Sequence, residues 1–336
     1  MLFAMKAMVI NRFGGPEVFE LAELPRPEPK PGHLLIKVAA SSVNPVDTKI
    51  RSGMLAQLSP AFPAILHGDV AGTVDAVGEG VDNFKAGDAV YACAGGFKGL
   101  QGALAEYMLA DAALVARKPE KLGMAEAAAL PLVGITAWEA LIERAQIRPG
   151  QRVLVQGAAG GVGHIGVQLA KIAGAIVYGT VSTPAKAEIA RKVGADYVIF
   201  YREKRPAEYV KEFTGGEGFD VVFDTVGGDS LAASFQAVKP NGTVVTIAAR
   251  STQDLSPLHA KNASLLVVFM LLPILQPAER RRHGMILERL TRLVDHGRLR
   301  PVLDAEHFSF TRVADAHRKL EQNRMIGKIV LEARWD

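Results

Sequence analysis

The chain has 336 residues, of which 49% are hydrophobic and 22% charged, the composition of a globular protein long enough for two domains. A net charge of +4 is too small over this length to suggest a nucleic-acid partner. The lone cysteine, Cys93, excludes an intrachain disulfide or a Cys-rich zinc site and fits a reducing, cytoplasmic setting.

Met5-Lys6-Ala7 reads as a natural start, with Met1–Ala4 as an extension, and residues 1–14 lack a signal-peptide pattern. Residues 5–125 are rich in turns and short β-type runs. Leu34–Val38, after the Pro-rich stretch 25–31, predicts a strand. Val70–Val77, ending in the turn Gly78-Glu79-Gly80, predicts a second, and Gly87-Asp88 feeds a third through Ala92. Short strands punctuated by Gly and Pro suggest a small irregular β-barrel. Met124–Leu130 and Ile135–Glu143 then read as helices separated by Pro131.

From 152 onward strands and helices alternate, at Val153–Gln156, Ile165–Ala173, Ile176–Gly179, Ala185–Val193, Tyr197–Ile199, Val221–Asp224 and Val244–Ala248. That alternation predicts a parallel, doubly wound sheet. The apolar run Leu265–Leu272 is about half of the ~20 residues a membrane span needs and reads as a buried strand or an oligomer seam. Arg280-Arg281-Arg282 reads as a solvated helix start, with Met285–His296 helical beyond it. Short strands near Phe308 and at Ile329–Leu331 resume the barrel texture. The expected fold is therefore α/β: a barrel domain over 1–127 and 277–336, with a doubly wound domain over 128–276 inserted in it.

The most informative segment is Val153-Leu154-Val155-Gln156-Gly157-Ala158-Ala159-Gly160-Gly161-Val162-Gly163-His164. It reads as an apolar strand, a Gly-rich turn and a helix start. Glycines let backbone approach a pyrophosphate, and the helix N-terminus offers free N–H groups, so Ala159, Gly160, Gly161, Val162 and Gly163 are candidate dinucleotide contacts. Ala158 stands where the usual pattern has its first glycine. The next strand, Ala175–Thr180, ends without the acidic residue that would accept from a ribose 2′-hydroxyl. Ser182 and Lys186 follow it and suit a 2′-phosphate, which favours NADPH. A helix N-cap at Ser182 or Thr183 and a solvated lysine is the plainer reading of the same residues.

With these motifs the chain resembles the medium-chain dehydrogenase/reductase superfamily, and within it the zinc-free quinone oxidoreductases of the zeta-crystallin-like group. The resemblance runs nearly end to end. It rests on Ser42–Lys49, Asp69–Gly72, Val77–Val81, Gly87–Tyr91, Gly134–Ala137, the Gly157–Gly163 loop, Asp224–Gly228 and Gly327–Leu331. It implies a GroES-like catalytic domain, a Rossmann NADP-binding domain, a cleft between them, hydride transfer from NADPH, and a homodimer built through the Rossmann sheets. It also implies that Thr136 lies beneath the nicotinamide and that Tyr201 and Arg324 reach the 2′-phosphate. Ala248 and Arg250 would bring backbone near the nicotinamide.

Zinc-dependent members of the superfamily carry Cys where this chain has Asn44 and His where it has Gly68. Asp69 alone cannot hold a catalytic zinc, and His67, shifted by one residue on a strand, would face the other way. No metal is expected. A bare hydride donor suits a quinone or an α,β-unsaturated carbonyl, whose conjugation spreads the incoming charge onto oxygen. Asn44 is the first candidate to meet that oxygen. Asp47, a structural or ribose-side residue, and Lys49, solvated or carbonyl-polarising, complete the catalytic candidates.

Cys93 reads as a buried, inert thiol. Phe62, Phe97 and Phe269 are pocket-wall or core residues, and Gly95–Gly102 is a flap or a plain loop. Two rival functions stand beside the reductase. An enoyl-thioester reductase is weakened by the absence of a tyrosine in Arg51–Leu55. The other is a non-enzymatic NADPH-binding protein of crystallin or sensor type. Neither nucleic acid nor membrane is expected as a partner.

Overall fold

The computed structural model describes residues 4–336, so most of the expected Met1–Ala4 extension lies outside the described residues. The strands in chain order are β1 (Ala4–Ile10), β2 (Phe19–Pro25), β3 (His33–Ser42), β4 (Asp69–Val77), β5 (Ala89–Cys93), β6 (Tyr107–Asp111) and β7 (Val115–Arg117). Next come β8 (Arg152–Gln156), β9 (Ile176–Val181), β10 (Tyr197–Phe200), β11 (Phe219–Asp224), β12 (Val238–Thr246) and β13 (Ser264–Val267), followed by β14 (Phe308–Ser309) and β15 (Val330–Glu332). Two compact units result, one of residues 1–132, 271–297 and 301–336, the other of 133–270 and 298–300. These joints lie a few residues from the expected 127/128 and 276/277. Arg298–Arg300 return to the second unit because Gln168 holds Arg300 at both backbone groups, at 2.9 and 3.0 Å.

The first unit is built around β3. It pairs antiparallel with β4, β6 and β15, and β4 passes the sheet on to β5 and β7. Bulges after Leu35 and Val38 bend it so that one strand serves several partners. The register puts Ser42 opposite both Asp69 and Val330, so the ends of three strands distant in sequence meet at one place. The helix Arg281–Asp295 buries His283, Ile286, Leu287, Leu290 and Val294, a spacing that forms one apolar face. Arg280 at its start is not solvated. Its guanidinium pairs with Asp111 at 2.9 Å and donates to the Ile274 carbonyl, and only 12% of the side chain is exposed.

The second unit is a six-stranded parallel sheet in the order β10-β9-β8-β11-β12-β13. Its central strands are apolar on both faces because helices cover both. Leu154, Phe219, Val222, Phe235 and Val244 lie in its core. The chain winds outward from β8 in one direction and from β11 in the other, so the crevice at their carboxyl ends is the topological switch point. Pro131 begins the helix Pro131–Trp138 rather than merely dividing two others, and the following turn Glu139–Arg144 widens to π geometry. The apolar run after 264 forms no buried strand. β13 is the sheet's outer edge, and Val267 and Phe269 are 44% and 45% exposed.

Candidate active site

The Gly-rich segment occupies the switch point. Gly157 turns the chain out of β8 with φ +71°. The helix Gly163–Ile172 opens four residues after Ala159. A Cβ on Gly163 would stand 2.1 Å from the Gly157 carbonyl oxygen, so only glycine lets the helix start this close to the strand. Ala158 is accommodated by Gly179 on β9, whose own Cβ would lie 2.7 Å from that of Ala158. The N–H groups of Ala159, Gly161, Val162 and Gly163 form no hydrogen bond among the described residues. Four open amides at a helix N-terminus fit a pyrophosphate.

Buried polar side chains lock the surrounding loops. Asp224, fully buried, accepts from Gly227 N, Ser230 Oγ and Thr246 Oγ1 at 2.8–3.2 Å. Thr246 Oγ1 in turn accepts from Ala248 N at 3.1 Å. Gln156 ties β8 to β9 through Thr180 Oγ1 at 2.8 Å. Beyond β9, Thr183 is the N-cap of the helix Pro184–Lys192, accepting from Lys186 N at 3.3 Å. The Ser182 hydroxyl and the Lys186 ammonium make no hydrogen bond or ion pair among the described residues. Tyr201 is half exposed, Arg250 is exposed and Thr136 is buried, all in this unit. Arg324 belongs to the first unit, on the exposed turn after the helix Val313–Glu321.

In the first unit the meeting of β3, β4 and β15 assembles a buried polar cluster. Asn44, 1% exposed, stands at the N-cap position of the helix Pro45–Arg51, but its side chain does not cap. Its Nδ2 donates to Asp69 Oδ2 at 2.8 Å, and its Oδ1 accepts from Lys328 Nζ. Asp69 accepts further from Ser42 Oγ at 2.8 Å and from Leu132 N at 2.8 Å. Lys328 is 3% exposed and also donates to the Val43 carbonyl at 3.1 Å. Its ammonium lies 3.6 Å from Asp69 Oδ2.

Asp47 Oδ2 accepts from Asn44 N at 2.7 Å, while its buried Oδ1 has no hydrogen-bond partner. Burial raises the Asp47 carboxyl to about 7, against the opposing pull of the Asn44 N–H. Lys49 points outward from the same helix, exposed and unpaired, and is not brought into the cluster. Lys328 escaped the sequence reading as a site residue. Its signal was a lysine wedged between Gly327 and the apolar strand Ile329–Leu331.

Other expectations resolve by packing. His67 is not on a strand. It takes φ +69°, and its buried Nε2 meets His317 Nε2 at 2.9 Å. Cys93 is fully buried and its thiol is pushed up, chiefly by burial. Gly95–Gly102 is fastened as a loop. Phe97 is fully buried, Lys98 N donates to Leu58 O at 2.8 Å, and Gly102 N donates to Ile65 O at 2.8 Å. Phe62 is 44% exposed.

A doubly wound sheet with an open amide cradle, joined in one chain to a β-barrel carrying a buried polar cluster, defines an oxidoreductase of the nicotinamide-dependent class. Comparison with known families agrees. The alcohol dehydrogenase GroES-like domain family matches residues 30–120, and the zinc-binding dehydrogenase family matches 193–331. The chain is 32% identical to the quinone oxidoreductase of Homo sapiens, covering 97% of each. It is 35% identical to the chloroplastic NADPH-dependent alkenal/one oxidoreductase of Arabidopsis thaliana, over 97% of this chain and 79% of that one. The solved alcohol dehydrogenase superfamily protein from Novosphingobium aromaticivorans superposes with a TM-score of 0.93 at 42% identity, covering 98% of this chain and all of that one. The chain belongs to the medium-chain dehydrogenase/reductase superfamily, in its quinone oxidoreductase group.

The zinc in one family's name does not fit the residues present. Gly68 offers no side chain, and a Cβ there would already crowd Gly95 O at 2.9 Å and Cys93 Sγ at 3.0 Å. Asn44 Oδ1 is committed to Lys328, and the Lys328 ammonium stands beside Asp69 where a metal would need that carboxylate. Among the described residues no group of three His, Cys, Asp or Glu is placed to hold a metal ion.

Proposed function

We propose that the chain is an NADPH-dependent reductase of quinones and α,β-unsaturated carbonyls that works without a metal. The observation that carries this reading is the barrel cluster, in which Asn44 stands where a metal-dependent relative carries a ligand and the Lys328 ammonium sits against both Asn44 and Asp69. With no Lewis acid to hold an alkoxide, the acceptor must spread charge by its own conjugation.

Ala159, Gly160, Gly161, Val162 and Gly163 hold the pyrophosphate. Ser182, Lys186 and Tyr201 meet the 2′-phosphate, and no acidic side chain directly follows β9 to repel it. Thr136, Ala248 and Arg250 serve the nicotinamide end. Bound NADPH supplies the hydride. Asn44 donates its second Nδ2 hydrogen to the acceptor oxygen. Asp47 supports Asn44 from behind through the backbone, and Lys49 acts only as a solvated neighbour. Water supplies the final proton.

The relatives' names support both acceptor classes, quinone for the human protein and alkenal/one for the Arabidopsis protein. The exposed outer edge of β13 supports a homodimer formed by strand pairing. No helix among the described residues is long and apolar enough to cross a membrane, and the lone buried cysteine suits the cytoplasm.

The test is NADPH consumption by metal-free protein against matched quinone and 2-alkenal panels. Turnover with either panel at a rate unchanged by added zinc supports the reading. Tight NADPH binding without turnover of any member rejects it.

A further inference from the structure

We infer that Lys328 is a positioning residue for Asn44: its buried ammonium fixes which way the Asn44 amide points and strengthens that amide as a donor. The inference rests on the reading of Asn44 as the group that meets the acceptor oxygen.

An asparagine amide has an acceptor end and a donor end, and its partners decide which faces where. Here the two partners leave no freedom. The Lys328 ammonium only donates, so it takes Oδ1. The Asp69 carboxylate only accepts, so it takes one Nδ2 hydrogen, at 2.8 Å. The reversed amide would set N–H against ammonium and C=O against carboxylate. Because the amide is planar, the second Nδ2 hydrogen then has one direction, and nothing among the described residues accepts it. A charge-assisted bond at Oδ1 also draws electron density from the nitrogen and makes that hydrogen a better donor.

Lys328 is itself held from several sides. Its Nζ partners, the Val43 carbonyl, Asn44 Oδ1 and Asp69, are all acceptors, as an ammonium requires. Its backbone is held on both sides, Lys328 N to Val302 O at 2.9 Å and Asp304 N to Lys328 O at 2.8 Å. Gly327 before it turns with φ +65°, and a Cβ there would meet Val302 O at 2.1 Å. Burying an ammonium this completely is costly, and an apolar residue of similar size would fill the space more cheaply. What an apolar residue lacks is the ability to orient an amide.

The experiment compares Lys328→Met and Lys328→Arg with wild type for kcat, NADPH dissociation constant and melting temperature. Lys328→Met is expected to lower kcat by ~10²-fold, the scale of one lost oriented donor. Its NADPH affinity stays within about twofold, because the cofactor cradle is built from other residues. Lys328→Arg, which keeps the charge, is expected to recover part of kcat. Wild-type kcat in Lys328→Met overturns the inference, as does a loss that merely follows loss of NADPH binding in both variants.

If neither variant folds, the wild-type protein decides by the Asn44 side-chain amide in a proton–nitrogen correlation spectrum. The inference expects two separate, slowly exchanging amide protons shifted from the exposed-asparagine range. A signal within that range overturns it. This readout needs no turnover, so a failure of the proposed reaction is seen separately as a wild-type enzyme that consumes no NADPH.

Discussion

His317 and His67 share one hydrogen bond, Nε2 to Nε2 at 2.9 Å, in a pair with no exposed surface. Their partners set the tautomers. Arg51 only donates, so His317 Nδ1 accepts from it at 3.5 Å and His317 Nε2 carries the hydrogen given to His67. His67 Nδ1 then donates to Ser41 Oγ at 3.3 Å, and Ser41 passes its own hydrogen to the Asp69 carbonyl at 2.7 Å. Protonating either ring would put two N–H groups face to face.

Acid should therefore unfold the protein through this pair. Burial first, and the Lys328 charge second, lower His67 to about 3. Burial, His67 and Arg51 hold His317 well below its usual value. In the unfolded chain both rings titrate near ~6.5. Their contribution to stability is complete above that pH and drains away as pH falls toward the folded values, at ~1.4 kcal/mol per pH unit for each ring. His317→Gln removes one ring. Its stability deficit at pH 7.5, measured by urea unfolding, should shrink by pH 5. Parallel stability–pH curves for the two proteins would refute this.

Gly163→Ala drives a Cβ toward the Gly157 carbonyl at 2.1 Å, and the atoms it meets are all backbone of Gly157 and Ala158, with no flexible side chain to yield. We expect a stability loss of ~1–3 kcal/mol and at least ~10-fold weaker NADPH binding, since the strain falls on the amide cradle. Fluorescence titration with NADPH checks it. An unchanged dissociation constant would remove the cradle from the cofactor site.

Lys186→Glu should discriminate between cofactors. The Lys186 ammonium has no polar partner among the described residues, so its replacement breaks no hydrogen bond or ion pair there. Placing a carboxylate beside a 2′-phosphate should raise the KM for NADPH ~10-fold or more while leaving that for NADH nearly unchanged. Equal changes for both cofactors would place the 2′-phosphate elsewhere.

Val267→Lys puts a charge on the outer edge of β13, where 44% of Val267 is exposed. An edge lysine opposes strand-to-strand pairing, so if the proposed dimer forms through this edge, the particle should fall to monomer by light scattering with little change in melting temperature. A particle mass unmoved by the substitution would locate any dimer contact away from this edge.

The sheet of the second unit was legible because its strands are locally apolar and its helices alternate with them. The helix Pro206–Thr214 was not, since its buried face rests on little more than Tyr209 and Val210. Of the two readings of Leu265–Leu272, buried strand or oligomer seam, the first fails because apolar composition does not say whether a strand lies inside a sheet or on its rim. Arg280 misled in the opposite sense. An arginine in a basic run reads as solvated until Asp111, far away in sequence, comes to meet it.

The strand, Gly-rich turn and helix start proposed as the cofactor cradle were determined by sequence alone, because they are contiguous and glycine's freedom at a tight turn is a local property. The barrel cluster was decided only by tertiary structure. Asn44, Asp69 and Lys328 come from three distant stretches, and the pairing of β3 with β4 and β15 brings them together. Three polar residues so far apart carry no mutual signal in the chain. Burial gives them one, because a carboxylate, an ammonium and an amide removed from water must satisfy one another.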